Sequence, residues 1–318
     1  MMHATQSTAT RPYAYATDLM TKKVPLSSAR EVRSCLFPAS NHAYAPGVHA
    51  GVSSATAAQP VKVHFQDGSY VLVTGKRVER HRRILDYILA YAPAIPVGND
   101  EHVFFLDLRK GAEKVFGDVS YYTRMAESIL SMRAITLDYH DAEGDREDNI
   151  PDQANTLVTD FVREFRPGVD IVVDTMVTHC GFSLADLEGM CMVRLSRVYM
   201  RHLSNGLALS YHAALEHIFR MGPVAAQLAR MVLSNMYMKS RPLRELLELI
   251  GAPTGAAQDR AINQLRNGAD AELLTELGIE IRENGPRRQL VVNYVANSTG
   301  RTFAITQSLV NGRRVEKH

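Results

Sequence analysis

The sequence predicts an α+β protein made of two tandem winged-helix domains behind a flexible N-terminal arm. Three observations predict it. The chain has 318 residues, enough for two domains of ordinary size. From residue 61 to about 178 the local signals run hairpin, helix, helix, helix, strands. From about 207 to 295 they run through helices to a closing hairpin, so one architecture recurs without close identity between its copies. The expected boundaries are an arm over 1–30, a first domain over 31–190 and a second over 191–318.

The arm is rich in Ser, Thr and Ala and shows no periodicity, and 38–60 is a Pro- and Gly-broken insert. Order begins at VKVHFQDGSYVLVTG. Val61, Val63 and Phe65 alternate, Asp67-Gly68 turns the chain, and Tyr70 to Val73 return. In VERHRRILDYILAYA, Ile84, Leu85, Ile88, Leu89 and Ala92 recur at helical spacing, and Pro93 ends the helix. HVFFLDLRKGAEKVFG reads as a strand and a short helix. The next helix, in GDVSYYTRMAESILSMRA, has an apolar stripe of Tyr122, Met125, Ala126, Ile129 and Met132. Its other face carries Tyr121, Arg124, Ser128 and Ser131, so Tyr122 belongs to the core and Tyr121 to the surface. AITLDYH, TLVTDFVREF and VDIVVDTMV read as strands, and the acidic stretch 141–153 between the first two as a loop.

In the second half, LALSYHAALEHIF reads as helical. GPVAAQLARMVLSNMY is a helix with Pro223 in its first turn and a stripe of Val224, Leu228, Met231 and Val232. PLRELLELIG is a short helix. TGAAQDRAINQLRNGADAELLTELG reads as one long helix on the stripe Ile262, Leu265, Ala269, Leu273, Leu277, passing through Gly268 at about 1 kcal/mol relative to Ala. Two alternating runs around Asn284-Gly285 close the unit as a hairpin.

Composition narrows the function classes. Hydrophobic residues make up 46% and charged residues 22%, as in a globular protein with a sizeable core. The formal charge of +2 excludes a blanket polycation, so any nucleic-acid contact needs local basic patches. Three cysteines make no disulfide framework and point to a reducing compartment. No apolar run approaches the roughly 20 residues of a membrane span, and the N-terminus lacks a signal-peptide core. A cytoplasmic protein without membrane contact is expected.

A winged helix reads DNA with its third helix in the major groove, where exposed Arg, Asn and Gln meet distinct donor and acceptor patterns. In the second unit Gln258, Arg260, Asn263, Gln264 and Asn267 lie away from the Ile262 stripe and suit that task. The hairpin arginines Arg282, Arg287 and Arg288 would reach phosphates or the minor groove. A solvated helix face and an ordinary charged turn are the plainer alternative. In the first unit Ser120, Tyr121, Thr123 and Arg124 occupy the front of the third helix. Lys76, Arg77, Arg80, Arg82 and Arg83 form the densest basic run, which would track phosphates. Here too a solvated helix start is the alternative.

Signals for an enzyme are poor. There is no Walker-type phosphate loop, no G-x-S-x-G and no H-E-x-x-H. His179, Cys180 and Cys191 lack paired metal-ligand spacing. No His-apolar-His pair stands ready to hold a metal beside Tyr121 or Tyr122 as a nicking tyrosine. No catalytic residue, metal or cofactor is expected.

The block SYYTRMAESILSMRA combines Tyr-Tyr-Thr, a basic residue, Ala-Glu, Leu-Ser, an apolar residue and Ala two positions on. In that spacing the chain resembles the iteron-binding plasmid replication initiators, and most closely the TrfA-like group. VRSCLF, ILDYILAYAPAIPVG and FRMGPVAAQLARMVLSNMY resemble flanking blocks, and the resemblance covers about residues 30–295. It implies tandem winged helices that bind direct repeats at a plasmid origin, open the adjacent AT-rich DNA and recruit host initiator, helicase and sliding clamp. It also implies self-association, with monomers binding repeats and dimers inactive or autoregulatory. Family members often carry a Gln-Leu-x-Leu-Phe-like clamp peptide, where this chain has only VPLSS. A winged-helix transcriptional repressor, a tyrosine nickase and a protein-interaction module are the competing expectations.

Overall fold

The structure is a computed structural model that describes residues 26–39, 60–96, 102–146, 156–179, 181–204, 207–234, 240–286, 288–295 and 306–309. The fold is mixed α+β with small antiparallel sheets. Most of the predicted insert over 38–60, the end of the acidic stretch and Arg287 lie outside the described residues.

The chain enters through β1 (Ser27–Ser28) and the single turn α1 (Ala29–Val32), which Ser28 caps by accepting from the Glu31 amide. A hairpin follows, β2 (Val61–His64) and β3 (Tyr70–Thr74), with Gly68 at φ +88° in the turn. Its alternation is the predicted one, with Val63, Val71 and Val73 facing inward. Helix α2 (Glu79–Tyr91) is buried along nearly its whole length, and Ala92 before Pro93 leaves the helix in an extended conformation.

Next come β4 (Ala94–Pro96), β5 (His102–Leu106), α3 (Leu108–Phe116) and, after a 3₁₀ turn at Val119–Tyr121, α4 (Tyr122–Met132). The Asp107 carboxylate caps α3 by accepting from the Arg109 amide at 2.8 Å, and Gly117 at φ 78° ends it. Strand β6 (Thr136–His140) returns to the hairpin, giving the order β2-β3-β6. The antiparallel pair β7 (Val158–Val162) and β8 (Cys191–Leu195) joins β4 and β5 in the order β4-β5-β8-β7. Between β7 and β8 lie α5 (Ile171–His179) and α6 (Leu184–Leu187), seated on a separate apolar cluster that includes Phe105, Phe165, Val177 and Phe182.

The second half opens with α7 (Arg197–Ser204), β9 (Leu207–Ser210), a 3₁₀ turn and α8 (Leu215–Arg220). Then follow α9 (Pro223–Leu233), β10 (Arg241–Pro242), α10 (Leu243–Leu249), α11 (Ala256–Asn267), α12 (Ala269–Glu276), β11 (Ile279–Asn284) and β12 (Gln289–Tyr294). Their sheet has the order β10-β12-β11, and β13 (Thr306–Leu309) pairs with β9, which also pairs with β1.

Apart from the intervening β4, β6, α5 and α6 in the first and α12 in the second, two stretches run in one order: helix, strand, helix, helix, strand, strand, with the last strand inside its sheet. In the first it is α2, β5, α3, α4, β7, β8; in the second α9, β10, α10, α11, β11, β12. One continuous core links them, from Leu26 through α2 and α9 to Val292.

Four expectations change. VDIVVDTMV forms α5 rather than a strand. The Asp170 carboxylate accepts from the Val173 amide, and the Thr175 and Thr178 hydroxyls donate to carbonyls four residues back, so local hydrogen bonds override a β-branched run. LALSYHAALEHIF is not one helix, because its start is strand β9. The long helix breaks at Gly268, which is extended at φ −99°, ψ −176°. A Cβ there would lie 2.9 Å from the Gln264 carbonyl oxygen, so glycine is what lets α11 and α12 meet. Residues 26–30, read as arm, are packed: Leu26, Ser27 and Ser28 are buried and β1 is hydrogen-bonded to β9.

Candidate nucleic-acid interface

The outer face of α11 is built by periodicity. Ala261, Ile262 and Leu265 turn inward and are buried, which leaves Arg260, Asn263 and Asn267, spaced i, i+3, i+7, on one exposed line with Gln264 beside it. Asn267 Nδ2 donates to Asn263 Oδ1 at 2.8 Å, which orients the Asn263 amide. Next to this line is a cleft of about 640 Å³ between α10, α11 and the start of β12. Arg244, Arg266 and Arg288 line it against one carboxylate, Asp259, so its balance favours an anion. Arg266 reaches Glu283 at 3.1 Å and Arg244 reaches Asp259 at 3.4 Å, both on exposed side chains that water screens. Arg282 is exposed and paired with Glu280, and Arg288 holds a positive φ of 47° at the hairpin turn.

The first unit has a cleft at the equivalent place, about 720 Å³, between α3, α4 and the β7–β8 pair. Arg109, Lys110 and Arg163 line it, but so do Asp107, Glu164, Asp186 and Glu188. Its charge is therefore mixed where the second cleft is basic. Tyr122 forms part of its wall with the Arg109 guanidinium 5.2 Å and the Arg163 guanidinium 6.0 Å from the ring centre. Cys191 also lines it, with burial pushing the thiol up to about 12, so it is not a nucleophile at neutral pH.

The exposed face of α4 carries Thr123, Arg124 and Glu127, and the 3₁₀ turn before it carries Ser120 and Tyr121. Tyr121 is exposed and Tyr122 half-buried against the core, as their positions on the stripe predict. Phe116 meets Tyr121 edge-on at 6.1 Å, and the Arg124 guanidinium sits 5.7 Å from both rings. Ser128, expected on the outer face, is buried and donates to the Arg124 carbonyl at 2.6 Å.

The basic run divides. Lys76 is exposed, and Arg80 is half-buried beside Arg124 and Glu127 on α4, so Arg80 borders that face. Arg77, Arg82 and Arg83 are buried and are corrected as groove contacts. Arg82 donates to Asp86 Oδ1 at 2.7 Å, to Tyr211 at 2.9 Å and to Glu31 and the Leu26 carbonyl. Arg83 donates to Glu79 at 2.7 Å and, across the units, to the carbonyls of Phe219 and Met221. Arg230 on α9 completes the set, donating to Asp86 and Glu79. Three guanidiniums thus face three carboxylates in the interior, the condition under which charges are buried at all. Burial alone would raise the Asp86 carboxyl, but Arg82 and Arg230 outweigh it and hold the group below its ordinary value. Gln258 is likewise buried on the inner side of α11, with Arg244 donating toward it at 3.4 Å, and is corrected too.

Sequence reasoning missed Arg109, Lys110, Arg163, Arg244 and Arg266. Each stands near a carboxylate in the sequence, so none forms a long basic run; only the two clefts gather them, the first three in one and the last two in the other. Among the described residues there is no group of three or more His, Cys, Asp or Glu placed to hold a metal ion, and no helix long and apolar enough to cross a membrane. No known family, no curated protein and no solved structure matches this chain.

Proposed function

We propose that the chain is a sequence-specific duplex-DNA-binding protein that initiates plasmid replication at an array of direct repeats. The observation that carries the DNA-binding part is the outer face of α11, turned to solvent beside a cleft whose arginines outnumber its carboxylates, with α4 exposed in the like way beside a cleft of mixed charge. The strand orders β5-β8-β7 and β10-β12-β11, with the closing strand central, are what a winged helix requires. The initiator part rests on the resemblance carried by SYYTRMAESILSMRA and its flanking blocks.

In this account α11 lies in the major groove with Arg260, Asn263 and Gln264 toward base edges. Arg244, Arg266 and Arg288 take the phosphates along its cleft, where their charge is least opposed. The first unit engages the adjoining groove through α4, with Arg80 at its border. Once one unit is bound the other binds intramolecularly, so modest contacts at each suffice. Deforming the duplex between them favours opening of flexible AT-rich steps nearby, where host replication proteins would load. No bond is made or broken, and no residue is assigned a catalytic role.

Selection from randomised duplexes with the full chain tests this. An enriched sequence with two separated blocks is expected, and a plasmid carrying that sequence in repeats beside AT-rich DNA should replicate only when the protein is supplied. No enrichment would refute DNA reading; enrichment without replication would leave a repressor.

A further inference from the structure

Helix α4 carries a line of exposed side chains that runs back from Thr123, apart from Ser120, Tyr121 and Arg124. Thr123, Glu127 and Leu130 are spaced i, i+4, i+7 and so stand one above another on the outer face. The inner face holds Met125, Ala126, Ile129 and Met132, all buried. Leu130 is 49% exposed, and Val119, in the turn that leads into the helix, is also 49% exposed. A single exposed leucine means little. Here it shares a line with a threonine methyl and a carboxylate, on the helix face that the DNA reading above turns toward the groove.

We propose that Thr123, Glu127 and Leu130 are the base-reading side chains of the first unit and that they select thymine and cytosine; the proposal rests on that DNA reading. In the major groove thymine presents a C5-methyl group and cytosine an N4 amino donor. Leu130 and the Thr123 methyl pack on thymine methyls, and the Glu127 carboxylate accepts from cytosine N4. A carboxylate entering DNA must be offset against phosphate repulsion. Arg80 lies close enough to Glu127 to feel its charge, so a guanidinium stands near the carboxylate. The second unit has the opposite chemistry. Its exposed line of Arg260, Asn263 and Asn267, with Gln264, suits guanine and adenine, and no large apolar side chain of α11 is exposed. One chain therefore carries a pyrimidine reader and a purine reader on like frames.

The test uses the full chain and its best selected duplex. Each thymine of the duplex is replaced in turn by deoxyuridine, which lacks only the methyl group. Replacement in the first unit's block should weaken binding about fourfold, the worth of one methyl group removed from water. Leu130→Ala should weaken binding to the thymine duplex by a like factor and leave binding to that deoxyuridine duplex unchanged. Glu127→Gln should shift preference at one position from cytosine toward adenine, which a glutamine amide pairs with. The deoxyuridine series leaves the protein untouched, so it stands even if a variant fails to fold. Equal loss on both duplexes with Leu130→Ala, no deoxyuridine effect, or an unchanged preference with Glu127→Gln overturns the inference while leaving DNA binding intact. Failure to enrich any sequence removes the DNA reading itself.

Discussion

Arg230 Nε donates to Asp86 Oδ2 at 3.0 Å, and both side chains are wholly buried between α9 of one unit and α2 of the other. The same Asp86 accepts from Arg82 and from the Tyr211 hydroxyl at 2.7 Å. Around this carboxylate the chain's entry segment is also fastened. Glu31 takes Arg82 and accepts from Tyr199 at 3.0 Å, Arg33 donates to Ser234 Oγ at 3.0 Å, and the Ala39 amide donates to the Ile250 carbonyl. Residues 26–39 thus tie both halves together, and the placement of α4 relative to α11 is set by this interior.

Removing one member of such a network leaves a charge uncompensated. Asp86→Ala should lower unfolding free energy by about 3–5 kcal/mol, measured by urea denaturation with tryptophan-free far-UV circular dichroism. A loss under about 1 kcal/mol would mean that Arg82 and Arg230 find other partners. Because the folded Asp86 carboxyl titrates below its ordinary value, its contribution is present above about pH 3.9 and disappears as pH falls through the lower folded value.

A second acid-side loss should come from His202. Its ring stacks on Tyr139 at 4.0 Å and its Nε2 lies 2.9 Å from Ser28 Oγ. Burial, with Arg30 and Arg82 nearby, pushes its pKa down to about 3 from 6.5. Between those values the unfolded chain binds the extra proton, so stability is full above pH 6.5 and declines toward pH 3. His202→Phe keeps a ring in the stack and should flatten that decline. His81, pushed down to about 4 by burial, will keep part of it. An identical slope in wild type and variant would show that His202 does not titrate as placed.

Exposed and buried arginines should separate cleanly. Arg260→Ala should cost roughly 1–3 kcal/mol of preference at one base position with an unchanged urea midpoint. Arg124→Ala should lower affinity, again without loss of fold. Arg82→Ala should do the reverse, lowering the midpoint first. If Arg260→Ala left both affinity and preference intact in a gel-shift series, Arg260 would leave the reading set.

Phosphate contacts have their own signature. Arg244→Ala and Arg266→Ala should each weaken binding uniformly across sequences and reduce the slope of log K against log salt by about 1. A slope that stays constant in both variants would remove the basic cleft from the interface.

Much of the frame was legible because its cues are local. Pro93 after an apolar stripe marked the end of α2, Asp67-Gly68 and Asn284-Gly285 marked two hairpins, and the stripe of α4 separated Tyr122 from Tyr121. What failed depends on contacts distant in sequence. The pair Arg82 and Arg83 looks like a surface until Glu31, 51 residues before Arg82, and Arg230, 148 residues after it, join the same buried network. The pairs Glu79–Arg83 and Arg82–Asp86, at i, i+4, were the local hint that these arginines had partners. The clefts were illegible for the same reason, since Arg244 and Arg288 meet only after the hairpin folds over α11.

Hydroxyl-radical footprinting of the full chain on its selected duplex tests the central claim most directly. Two protected blocks are predicted, with centres about one helical turn apart, roughly 10 base pairs, and Arg260→Ala together with Arg266→Ala should erase one block while the other persists. A single block, or uniform protection that ignores sequence, would contradict an account in which two like-built units hold one DNA duplex.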